Sequence, residues 1–317
     1  MSVDVGDRRR LATAVLGEDA VPTADALPTR VARGVVLDIT PHMLRIATPR
    51  GEEPFLFERS TRIWRGGDVD FAQLRPGDDV VIRCAHGGRW VAERVWAQIA
   101  RVTGVITARD GDALEVDEGH GRPRRTVVIP YRSSGRIGVR HPVLEPGYLF
   151  DAIGQWHDGT VHALIPATTQ APHPVDEAPR RPRVYRFPGA VSGTIGWYDP
   201  ALGRSTHVNP LARAAGAAYP ALDPAADCGV ECDRGESCGP LPLLSLGTTF
   251  TLRNDCTGGS AAIPVLSCGS AAGRFCDRCT ACESDASGRI AQLTLMSFVA
   301  LGGSPESGCF NATLTVG

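Results

Sequence analysis

Between residues 31 and 166, short runs of Val, Ile, Leu and aromatic residues alternate with polar ones, and Gly, Asp-Gly or Pro-Gly ends each run. A period of two is the mark of half-buried strands. The pattern occurs twice. Gly34-Val35-Val36 recurs as Gly104-Val105-Ile106, Met43–Ile46 as Ala113–Val116, and Leu74-Arg75-Pro76-Gly77 as Leu144-Glu145-Pro146-Gly147, always 70 residues apart. A constant offset points to duplication. Each copy reads as four or five short strands: two near its start, then Phe55–Phe57 or Thr126–Ile129, Asp79–Ile82 or Tyr148–Ile153, and Trp90–Val95 or Val161–Ile165. The expectation is two tandem small closed barrels of the OB or SH3-like kind, 31–100 and 101–166, with Trp64, Trp90, Trp96 and Trp156 in their cores. Residues 1–30 form a lead containing a short helix from Arg8 to Leu16.

Residues 167–190 are rich in Pro and Arg and read as an extended connector. Beyond it the alternation returns. Val191–Tyr198 reads as a strand stopping at the Asp199-Pro200 turn, Gly247–Asn254 and Ala261–Leu266 as two more, and Asn311–Val316 as the last. Ile290–Leu301 places Leu293, Met296, Val299 and Ala300 on one helical face. The third domain, 191–317, is therefore mostly β with one helix.

Composition changes this picture in two ways. All 33 basic residues are Arg, which excludes lysine-based covalent chemistry, and the net charge of −2 argues for no charged partner. Arg122, Arg124, Arg125 and Tyr131 could suggest a nucleic-acid face; solvated strand edges explain them as well, and nucleic acid is not favoured. The cysteines are more informative. Cys84 stands apart, whereas Cys228, Cys232, Cys238, Cys256, Cys268, Cys276, Cys279, Cys282 and Cys309 crowd the third domain. That density reads as a disulfide framework in an oxidising compartment, with an odd cysteine free for Cys84 or for another chain. The rival is zinc on Cys268, Cys276, Cys279 and Cys282. Extracellular or envelope localisation rests on these cysteines alone: Met1–Gly17 makes a poor signal peptide, and no run is long enough to span a membrane.

Gly193–Gly203 (GTIGWYDPALG), Leu244–Asn254 (LSLGTTFTLRN), Asp277–Cys282 (DRCTAC), a helix ending Ala300-Leu301-Gly302 and a closing strand together resemble the double-psi β-barrel of expansins, barwin-like proteins and rare-lipoprotein-A-like proteins. The resemblance implies a mainly β protein in which two tandem barrels precede a disulfide-rich double-psi barrel. It also implies a polysaccharide groove holding Asp277 and Arg278, bordered by Trp197 and Tyr198, with polysaccharide or peptidoglycan as partner and no cofactor. Trp197 and Tyr198 alternate across their strand, so one is expected in the core and the other at the surface. A lytic transglycosylase can use a single carboxyl group as base and then acid, which makes Asp277 the candidate catalyst and Asp199 a second carboxylate, with His207 the nearest imidazole. The departures weigh against cleavage: Glu236–Gly239 stands where lytic members carry a His, and Gln292-Leu293-Thr294 replaces Asp-Leu-Ser. The favoured reading is a secreted or surface polysaccharide-binding protein without strong catalysis. The alternatives are a glycan-cleaving enzyme using Asp277 and an intracellular zinc-stabilised binding module.

Overall fold

The computed structural model describes residues 27–119, 122–171, 174–175, 189–201, 210–223, 237–282 and 286–316. The expected helix at Arg8–Leu16, most of the connector, His207, Cys228 and Cys232 lie outside them.

The first sheet contains β1 (Val31–Ile39), β2 (Met43–Thr48), β3 (Gly51–Trp64), β4 (Asp68–Val69), β5 (Asp79–Cys84) and β6 (Val91–Ala97). Its order is β2-β1-β5-β6-β3-β4, and β2 also pairs with β3, so five strands form a ring around Leu44, Ile46, Phe55, Val80, Ile82 and Val95. The next strands are β7 (Ile99–Asp110), β8 (Ala113–Asp117), β9 (Arg125–Val128), β10 (Leu149–His157) and β11 (Thr160–Pro166). They close as a barrel in the order β10-β11-β9-β8-β7 around Val102, Ile106, Leu114, Val116 and Phe150.

The duplication extends to single hydrogen bonds. Val36 N–H donates to Asp78 O at 2.9 Å, and Ile106 N–H to Tyr148 O at 2.9 Å; Gly77 N–H donates to Val36 O at 2.8 Å, and Gly147 N–H to Ile106 O at 2.8 Å. The β1–β2 ladder shifts register between Val36 and Asp38, and the β7–β8 ladder between Ile106 and Ala108. Gly34 and Gly104 recur for a packing reason. A Cβ would stand 2.2 Å from the Ala47 carbonyl oxygen in the first copy and 2.0 Å from that of Asp117 in the second. Gly77 and Gly147 have φ of +91° and +88°, the left-handed backbone that favours glycine.

The copies differ between β9 and β10, where α1 (Tyr131–Arg140) packs over β11. The alternation pattern does not predict this helix. It carries Gly135 and Gly138 and buries only Ser133 and Ile137, so it shows no apolar stripe.

The third barrel contains β12 (Ala190–Tyr198), β13 (Ala217–Tyr219), β14 (Thr249–Asn254), β15 (Ser260–Cys268), β16 (Arg289–Thr294) and β17 (Phe310–Thr315), with short helices α2 (Ser270–Gly273) and α3 (Leu295–Ala300). It closes in the order β12-β16-β13-β15-β14-β17. Pairs β12–β16 and β13–β15 are parallel; the other ladders are antiparallel. The helix expected over Ile290–Leu301 is corrected here. Its first part is β16, buried along its whole length between β12 and β13, and only Leu295–Ala300 is helical. The change falls at Thr294, whose side chain caps α3 by accepting from Ser297 N–H.

Among the described residues, disulfides Cys238–Cys276, Cys256–Cys282 and Cys279–Cys309 staple the long loops. Cys268 is disulfide-bonded as well. The protein is thus mainly β, disulfide-rich and built of barrels with a few short helices. No helix among the described residues is long and apolar enough to cross a membrane.

Candidate functional site

Asp277, the candidate catalyst, follows Cys276 on the segment between α2 and β16, held at one end by the Cys238–Cys276 bridge. It is only 5% exposed. Arg289, at the start of β16, donates to its two carboxylate oxygens at 3.1 and 2.6 Å, and the Thr168 hydroxyl donates to Oδ2 at 2.7 Å. Thr168 lies two residues past the end of β11, so the start of the connector covers this carboxylate.

The same arginine reaches further. Arg289 also donates to Asp151 on β10 at 2.5 Å, and Asp151 accepts two bonds from Arg101 at 2.9 and 2.8 Å and one from Thr103 at 2.9 Å. Arg101 donates in turn to the Gly308 carbonyl in the third barrel at 2.6 Å. Arg101, Asp151, Arg289 and Asp277 are all buried, with two charges of each sign. Burial alone would raise the Asp151 carboxyl, but Arg101 and Arg289 outweigh it and hold it well below the usual carboxylate range. Burial likewise opposes the Arg289 charge, and Asp151 with Asp277 reverses that effect, so the guanidinium stays charged. His141 seals the edge of the cluster: its Nε2 is 2.9 Å from the Asp151 carbonyl oxygen, and burial lowers its pKa.

Asp199 has a matching fate. Arg33 on β1 donates to both its oxygens at 2.7 and 2.9 Å and to Asp79 at 2.8 Å. Burial disfavours the Arg33 charge, yet Asp199 and Asp79 raise its pKa above the ordinary guanidinium value. Neither expected carboxylate faces solvent, and each is tied to an arginine that neutralises it.

The aromatic pair differs from expectation too. Trp197 is 0% exposed and Tyr198 8%, so both members of the alternation are buried. One face of β12 fills its own barrel and the other lies against the tandem modules. Trp197 Nε1 donates to the Pro305 carbonyl at 2.9 Å, the Arg101 guanidinium approaches Gly196, and Arg122 stacks on Tyr198 with its guanidinium carbon 4.1 Å from the ring centroid. Arg278 alone among the expected groove residues is exposed, while its backbone is fixed by Thr169.

The remaining candidates resolve in the same way. Cys276, Cys279 and Cys282 have disulfide partners and Cys268 is also oxidised, so the four thiolates of the zinc alternative are not available. Cys84 is free but buried, and burial pushes its thiol up to about 11, which leaves it ill placed to bond another chain. Of the basic aromatic cluster, Arg122 is spent on Tyr198, and Arg125 pairs with Glu118 at 3.0 Å and lies over Trp156. Trp64 and Trp96 are core residues as expected, whereas Trp90 is 39% exposed and flanked by Arg30 and Arg89. Asn311, in an Asn-Ala-Thr sequence, is buried and donates to the Cys279 and Cys282 carbonyls, so it is a structural residue.

Local spacing carries none of this burial. The partners stand 138 residues apart for Asp151 and Arg289, and 166 for Arg33 and Asp199. The one available signal is that unpaired Asp and Arg sit inside strand-like apolar runs, where a charge must find a partner. Compared with family models and with curated proteins, the chain matches none.

Proposed function

We propose that this chain is a non-catalytic polysaccharide-binding protein of the cell surface or envelope, whose third barrel is a double-psi barrel of the expansin-like kind used as a structural core. The observation carrying the non-catalytic part is the state of Asp277, buried, ion-paired with Arg289 and hydrogen-bonded by Thr168. A glycosidic acid needs access to the leaving oxygen, and burial beneath an arginine clamp and a threonine hydroxyl denies it. Support for the double-psi topology comes from the six-stranded closed barrel with two parallel pairs, β12–β16 and β13–β15, flanked by antiparallel ladders. The oxidised cysteines favour an extracytoplasmic site. For sugar contact Trp90, the most exposed tryptophan among the described residues, is a better candidate than Trp197 or Tyr198.

The test is co-sedimentation with insoluble peptidoglycan and with cellulose, with soluble fragments assayed in the same tubes. Pelleting with at least one polymer and no release is expected, and Trp90→Ala should weaken pelleting. Absence of pelleting with either would remove the polysaccharide reading, and steady release would restore the enzyme.

A further inference from the structure

A second feature lies on the opposite side of β11 from the barrel core, where α1 meets the β3–β4 turn of the first module. A cavity of about 430 Å³ opens there, lined by Arg65, Gly66, Gly67, Arg132, Ser133 and Arg136 among others. We propose that this cavity binds an oxyanion, a phosphate or sulfate group, either as the free ion or as a monoester on a sugar-sized molecule.

Three independent features converge on negative charge. Arg65 is neutralised by Asp78, but Arg132 and Arg136 are exposed and have no carboxylate partner among the described residues. They stand one turn apart on one helix face, where like charges repel, and an anion between them relieves that repulsion. The N-terminal end of α1 is uncompensated as well: Pro130 at its cap supplies no side-chain bond, and its first turn contains no acid. Lastly, Ser133 is 6% exposed and lines the cavity, and its hydroxyl has no hydrogen-bond partner among the described residues. With the rest of the residue buried, that hydroxyl is left free to donate to whatever occupies the cavity.

The opposite wall explains why there is room. Gly66, with φ of +73°, packs closely on Gln155, whose Oε1 would stand 2.5 Å from a Cβ there, and the room lies beside Gly67, where a Cβ would meet nothing within 4 Å. A volume of about 430 Å³ exceeds what a bare phosphate fills and falls within the size range of small-molecule sites. Arg132 and Arg136 would hold the oxyanion, Ser133 would donate to it, and the glycine wall would take whatever the oxyanion is esterified to. The site stands apart from the polysaccharide reading and does not depend on it.

Titration calorimetry on the full chain with inorganic phosphate, glucose 6-phosphate and glucose tests the proposal. Saturable binding of at least one phosphate compound is expected, with none for glucose. Tighter binding of glucose 6-phosphate would identify an esterified ligand, and equal binding the free ion. The double substitution R132Q/R136Q should lower the affinity by at least about tenfold, with the urea midpoint unchanged because both side chains are exposed. R140Q, on the same helix but outside the cavity, should change it little. No saturable binding up to about 10 mM, or equal affinity in R132Q/R136Q, would overturn the proposal.

Discussion

Asp151 accepts from Arg101, Arg289 and Thr103 together, and His141 rests on its backbone, so two titrations in this cluster weaken the fold in acid. The His141 pKa is depressed by burial, so the unfolded chain takes up its proton first as pH falls below about 6.5. Stability from this residue is present above that pH and is lost below it. The Asp151 carboxyl is also depressed, by its arginines against the effect of burial, so its contribution holds above about pH 4 and disappears in more acid solution. Urea midpoints measured from pH 8 to pH 3 should therefore be flat at first, fall gently below about 6.5, and fall steeply below about 4. His141→Gln should remove most of the gentle slope and leave the steep one. An unchanged profile in that variant would show that His141 is not buried in the neutral form.

The duplicated strands make the clearest predictions at the level of elements. Gly34→Ala or Gly104→Ala drives a methyl group into a backbone carbonyl on the facing strand, and each should cost about 1–3 kcal/mol or more. Gly135 and Gly138 in α1 have open space around them and ordinary backbone angles, so alanine at either should stabilise by about 0.5–1 kcal/mol. Opposite signs from one substitution type, read in urea melts, separate packing from backbone entropy. In the third barrel the bridges close loops with sequence separations of 38, 26 and 30 residues. Each should contribute roughly 3–4 kcal/mol by loop entropy, so full reduction should unfold that barrel first, visible as loss of the buried Trp197 signal. The 70-residue offset was readable from the sequence because glycines and Pro-Gly turns mark positions that only they can occupy. The boundary between β16 and α3 was not readable, since Ile290–Leu301 is buried throughout, its few polar residues included, and periodicity cannot divide such a run. Helix α1 was hidden for the opposite reason, a segment with almost no apolar residues.

Across the molecule, the duplicated modules have diverged where they meet the third barrel. Arg33 and Val81 face each other in the first copy, and their counterparts are Thr103 and Asp151 in the second. One copy therefore offers an arginine to Asp199, and the other a carboxylate to Arg289. Trp96 Nε1 and Arg94 add bonds to Glu306, and a shared apolar cluster joins Val81, Trp96 and Ile153 to Ile195, Trp197 and Phe310. This interface hides the surface that the family resemblance would make a groove, and it could not be seen in the sequence because its partners come from different barrels. Its arginines and carboxylates rest on one another, so removal of one partner leaves a buried charge uncompensated. The most direct test is urea unfolding of the wild type and of Asp277→Asn, followed by tryptophan fluorescence and far-ultraviolet circular dichroism, beside the fragment-release assay. A structural Asp277 predicts that the substitution lowers stability by about 3 kcal/mol and changes nothing in a release assay that shows no activity to begin with. An unchanged midpoint together with glycan release that the substitution abolishes would contradict it and make Asp277 the catalyst.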